Sequence, residues 1–217
     1  MLTANDLRDA IRGVVVLADR DLQVVWSRVR TADMARRALE ETLPLLVDAY
    51  GTAAGAVAAD WYDEHRDDLD VPGLYRAAPS VADDGADVLA RWGLSPLFQE
   101  NQDWDLARTL IAGGLQRRIA DVARNTVAGS TLTDPQADGW QRTGTGECAF
   151  CSMLIGRGAV YTKKTVRFAS HDNCNCSAVP AFGGRPRPVK SYTPSSRKSS
   201  DADRRRVREY LAANPAG

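Results

Sequence analysis

The sequence predicts a mainly α protein in three parts: a bundle of long N-terminal helices, a small α+β module that carries the cysteines, and a flexible basic C-terminal tail. Three observations lead there. Apolar residues recur at alternating spacings of three and four as far as Val127. All four cysteines and one of the two histidines fall between Cys148 and Cys176. From Gly183 onward nine basic residues stand against three acidic ones, a net +6, so the preceding chain carries −6 within a neutral whole. At 217 residues, 44% hydrophobic and 26% charged, the chain has the composition of an ordinary globular protein. No apolar run approaches the roughly 18 residues of a membrane span, so no membrane partner is predicted.

In chain order, Leu7, Ile11, Val14, Ala18, Leu22, Val25 and Val29 form the stripe of an amphipathic helix, with Thr3 or Asn5 as its cap. A second stripe runs through Leu39, Leu43, Leu46, Tyr50, Ala54, Val57 and Trp61, and Pro44 should kink or interrupt it. Within it, Gly51, Ala54, Gly55 and Ala58 would let another backbone approach closely. The acidic run from Asp60 to Asp70, which contains His65, reads as a solvated helix end. Ser80 and Asp83 suggest a capping box for a helix through Val88 and Trp92 that Gly93 stops. A further helix extends from about Asp103 to Val127, weakened locally by Gly113 and Gly114.

After Gly129 the character changes: 130–146 is turn-rich, and β-compatible pieces follow at Trp140 to Thr143, Val166 to Phe168 and Ser177 to Phe182. Here lie Cys148-x-x-Cys151 and His171-x-x-Cys174-x-Cys176. Thiolates and imidazole in two short-spaced groups joined by a longer loop suit a closed structural zinc site. An extended Ser170 to Val179 would point Cys174 and Cys176 to one face. Five candidates serve an ion that takes four, so either the site is all-cysteine with His171 outside, or His171 replaces one thiolate. Disulfides, a catalytic Cys/His pair and unligated core cysteines are the competing readings. The N-terminus has no basic start or cleavable apolar run, which predicts synthesis in the cytoplasm, where disulfides are rare. Being Gly-rich and poor in large aliphatic residues, the module would take its core from the metal, worth on the order of 10 kcal/mol. The division is therefore 1–129 helical scaffold, 130–182 Cys/His zinc module, and 183–217 tail. That tail, Pro/Ser/Arg-rich with a short helix from Asp201 to Ala213, offers Arg204, Arg205, Arg206 and Arg208 to DNA phosphates.

The same residues carry a family resemblance. A long helix with Arg117, Arg118, Ile119, Ala120 and Arg124, then Trp140, the Cys148–Cys151 knuckle, Gly156-Arg157-Gly158, and His171, Cys174 and Cys176 leading to Pro180 resemble the head-morphogenesis domain of Mu F-like minor head proteins of tailed phages, in the versions found in actinobacterial phages. The resemblance covers Trp104 to Phe182. It implies a minor capsid protein of low copy number inside the capsid near the portal vertex, with portal and capsid or scaffold proteins as partners and a role in head assembly or DNA delivery. It also implies metal ligation by Cys148, Cys151, His171, Cys174 and Cys176. Asp172 and Asn175 stand where the family often has proline and arginine. Proteins of this appearance are also described as capsid maturation proteases, the runner-up reading. A serine peptidase would need His65 or His171 as base for a serine such as Ser152 or Ser170, and a zinc-bound His171 could not serve. A zinc-ribbon nucleic-acid binder is the third reading.

Overall fold

The computed structural model describes residues 2–145, 149–159, 161, 168, 170–183 and 205. Helix α1 (Ala4–Trp26) opens on Thr3, whose hydroxyl accepts the Asp6 N–H while the Asp6 carboxylate accepts the Thr3 N–H at 2.7 Å, a reciprocal capping box. Helix α2 (Ala32–Asp68) is capped by Thr31 and runs unbroken through Pro44. The expected interruption is absent because Pro44 is on the exposed face, where water serves the carbonyl it leaves without a donor, while Leu43 and Val47 beside it are locked in the core. α2 is also long and apolar enough to pass for a membrane span by length and composition, against the expectation from the sequence. A core helix of a globular body passes the same test, and α2 packs on α1, α3 (Ala86–Gly93) and α4 (Trp104–Thr133).

Small residues set how closely these helices approach. A Cβ on Gly55 would lie 3.1 Å from Val122 and 3.2 Å from the Ser80 carbonyl, which explains the Gly51/Ala54/Gly55/Ala58 patch. In α4, Gly114 admits the Leu89 side chain from α3, and Gly113 lies under Asp172 and Asn173, with only 3.2–3.3 Å for a Cβ. The two glycines are contact points for two different neighbours. The Ser80/Asp83 capping box does not form: α3 starts at Ala86 on Gly85, the Ser80 N–H donates to Thr126 Oγ1 at 2.9 Å, and Asp83 pairs with Arg118. α4 also continues beyond Val127, through buried Ser130 and Thr131, the latter donating its hydroxyl to the Ala128 carbonyl at 2.7 Å.

Strand β1 (Ala137–Thr143) pairs antiparallel with β2 (Ser177–Phe182), and Trp140 bridges to Tyr161 on its other side. Trp140 stacks on Tyr161 at 4.2 Å and on Phe168 at 5.4 Å, and all three join the core cluster of the helices. The module is therefore not cored by its cysteines alone, as its composition suggested; three aromatic rings spaced far apart in sequence supply apolar mass. Residues 166–167, and all of the tail except Gly183 and the exposed Arg205, lie outside the described residues.

The acidic run at the end of α2 is not simply solvated. Arg66 is 4% exposed and Asp134 wholly buried; Arg66 Nε donates to Asp134 Oδ2 at 2.7 Å and its two terminal nitrogens to the Gly73 and Pro72 carbonyls at 3.0 Å. Tyr62 and the Gln136 N–H donate to the same carboxylate. Burial, reinforced by that carboxylate, raises the Tyr62 hydroxyl far above its ordinary range, so it remains a donor. Charge composition hid this pair because one arginine among six exposed or half-exposed acids carries no pattern. Removing one partner strands the other in the interior, so Asp134→Ala is expected to cost about 3–5 kcal/mol in denaturant unfolding, and Arg66→Met a similar amount.

His65 stacks on Trp61 at 4.7 Å, and its Nδ1 donates to the Leu2 carbonyl at 3.2 Å, while Trp61 Nε1 donates to the Thr3 carbonyl at 3.1 Å. The pair holds the N-terminal strap. Burial lowers the His65 pKa below 6.5, opposed by the Leu2 bond and Asp68. The unfolded chain then binds the proton more readily, so His65 contributes stability above about pH 6.5 that is lost as pH falls through the lower folded value. The melting temperature should decline less between pH 7 and pH 5 in His65→Phe, which keeps the stack, than in the unsubstituted protein.

Candidate metal centre

Helix α5 (Ala149–Ile155) supplies Cys151, and the loop ahead of β2 supplies His171, Cys174 and Cys176. The loop is not extended from Ser170, as alternation suggested. The Cys174 N–H donates to the His171 carbonyl at 3.1 Å, closing a turn through Asn173 at φ +61°, a left-handed conformation that asparagine tolerates. This turn swings His171 back beside Cys174. Cys151 Sγ is 3.3 Å from His171 Nε2 and 3.7 Å from Cys174 Sγ, and the three donor atoms all lie within 4.8 Å of one another. Tetrahedral zinc with Zn–S near 2.3 Å separates its sulfurs by about 3.8 Å, so the spacing fits. His171 Nδ1 donates to the Asp172 carbonyl at 2.8 Å, which leaves Nε2 bare toward the sulfurs, the arrangement of a ligating histidine.

Cys176 is 1% exposed, and its thiol contacts those of Cys174 and Cys151. Hydrogen bonding from Cys176 lowers the Cys174 pKa to about 4 against the cost of burial, helped by the nearby Arg124 guanidinium. The Cys176 thiol is correspondingly pushed up by its bond to Cys174 and by burial. One sulfur ionises while its neighbour keeps a proton, and a cation in the cluster would replace that proton. Cys148 lies outside the described residues. The structure thus brings together Cys151, His171 and Cys174, with Cys176 adjoining.

One face of α4 holds this loop. Gly113 lies under Asp172 and Asn173; Arg117 reaches Asp172 and Asp121 at 3.6 Å each; Asp121 accepts the Ser170 hydroxyl at 2.7 and 2.8 Å; Arg124, 4% exposed, donates through Nε to the Cys176 carbonyl at 2.8 Å, through Nη2 to the Cys174 carbonyl, and through Nη1 to Asp121 at 2.7 Å. The spacing 113, 117, 121, 124 is one helical stripe. Because Trp140 spends its N–H and carbonyl on Tyr161, its partner Pro180 turns its backbone away from β1, and strand alternation gives Cys176 the same sense. Arg124 therefore serves the far edge of β2 where a third strand would. In the sequence, Arg117 and Arg124 stand out only through the family resemblance; the signal for their role is a polar stripe on a helix whose other faces are apolar.

Of the peptidase candidates, His171 lies within the cluster itself. His65 is tied to Leu2 and Trp61, Ser170 donates to Asp121, and Ser152 is exposed on α5.

Fold and centre together define a helical body bearing a buried thiol–imidazole cluster able to hold a metal ion. A family model described as VG15 protein matches residues 2–200, and the chain belongs to that phage-associated viral family. No curated protein and no solved structure matches it.

Since Arg124 fixes two ligand-bearing backbone groups, Arg124→Lys, which keeps the charge but loses the planar fork, is expected to weaken metal binding about tenfold. Competition against a chromogenic chelator would measure it.

Proposed function

We propose that this protein is a minor structural component of a phage head, of the Mu F-like head-morphogenesis kind, acting inside the capsid near the portal during head assembly or DNA delivery. Membership of the phage-associated VG15 family carries the reading. The motif order from Arg117 to Pro180 narrows it, and the helical body offers long surfaces for portal, capsid or scaffold subunits. In this reading Cys151, His171 and Cys174 hold zinc, with Cys176 or Cys148 as the fourth ligand. A buried sulfur- and nitrogen-rich set favours zinc over hard cations and suits a closed, structural site. The ion's part is to cross-link α5 and the loop ahead of β2; Arg124 ties that assembly to α4. The basic tail, with Arg204, Arg205, Arg206 and Arg208, is a candidate contact for packaged DNA.

Two measurements test this. Purified, reduced protein should contain one zinc per chain, and chelation should lower its melting temperature markedly; absence of metal from freshly purified protein would remove the zinc. In purified phage particles, mass spectrometry should find the protein at low copy number and cross-linked to the portal. Its absence from both procapsids and virions would overturn the head-component reading.

A further inference from the structure

A cleft of about 490 Å³ lies behind the cysteine loop, between α1, α4 and the start of β2. Its floor is apolar, formed by Leu7, Ile11, Val15, Ala120 and Ala123. Its α1 side carries Arg8, half-buried with Nη2 on Asn5 Oδ1 at 2.6 Å, and Arg12, exposed. Among the described residues neither arginine has a carboxylate within ion-pair distance. Opposite them stand the amides of Gln116, Asn173 and Asn175. Among the described residues Asp9 is the only acid in the walls, whereas Arg124 is committed to Asp121 and the loop carbonyls. Two arginines without an ion-pair partner among the described residues therefore face the cleft, in a chain that, up to residue 182, carries −6.

We infer that this cleft is a docking site for an extended acidic peptide segment of a partner protein, with carboxylates on Arg8 and Arg12 and small apolar side chains on the α1–α4 floor. The volume is that of a ligand-sized pocket. An apolar floor rimmed by charged donors is how a groove gains both affinity and direction. Nucleic acid is the weaker fit, since among the described residues no aromatic side chain lines the cleft to stack a base. The inference goes beyond the head-assembly reading and does not rest on it.

The test is fluorescence anisotropy on the full, metal-replete chain with a labelled alternating Glu–Ala peptide, a Lys–Ala peptide, and oligothymidylate of matched charge. The expected result is saturable binding of the Glu–Ala peptide alone, weakened about fivefold or more by Arg12→Glu and by Arg8→Glu. Arg91→Glu, on α3 and outside the cleft, should leave it unchanged. Arg12→Gln, which removes one exposed charge without adding another, keeps the test valid if a reversal disturbs folding, and should weaken binding in the same direction. No saturable binding of the acidic peptide, or binding indifferent to Arg8 and Arg12 in variants of native melting temperature, would overturn the inference. Tighter binding of oligothymidylate with the same arginine dependence would overturn it in favour of a phosphate chain.

Discussion

The guanidinium of Arg124 is the point on which the site depends. From the middle of α4 it reaches two carbonyls of the cysteine loop, on Cys174 and Cys176, and a carboxylate on its own helix. Without it, the carbonyls at the buried start of β2 would lose their donor, since β1 lies on the other side of that strand. A buried acceptor without a partner costs about 1–3 kcal/mol each, more than a typical hydrogen bond contributes on balance. The loop geometry that clusters Cys151, His171 and Cys174 is thus an extension of α4.

Arg66 repeats the device at the C-terminal end of α4. It too is 4% exposed, and it too divides its donors between loop carbonyls, those of Pro72 and Gly73, and one carboxylate, Asp134. A planar fork of fixed donors can serve several acceptors that share no sheet or helix, which the single ammonium of lysine cannot do as well. Both arginines hold irregular chain against the helical body. Earlier on α4, Gly113 and Gly114 let the loop and α3 close on the helix from two sides. The body and the cysteine module consequently share one apolar core, continuous from Leu7 through Ile119 to Trp140 and Cys174.

Much of the fold was legible. The stripes of α1 and α2 place Leu7, Ile11, Ala18, Leu22, Leu39, Leu43 and Ala54 in the core as their spacing required, and the end of α3 at Gly93 and the span of β2 were read correctly. At the site, the clustering of Cys151, His171 and Cys174 followed from motif spacing. What misled was local chemistry overruled at a distance. Pro44 was tolerated because it faces water, Ser130 and Thr131 continued a helix because buried packing held them there, and Arg66 was hidden in an acidic run because its partner Asp134 is far along the chain.

The sequence by itself determined what its periodicities and residue chemistry encode: which helix faces are apolar, where the soft ligands lie, and how charge divides between body and tail. Those are local properties, set by repeat length and donor type. The tertiary structure alone decided which polar residues enter the interior and what they hold. The left-handed turn at Asn173, the stripe from Gly113 to Arg124, the arginine cleft on α1 and the Arg66–Asp134 pair all join segments distant in the chain. A buried charge is stable only where its partners converge, and that convergence is a property of packing which no local spacing records.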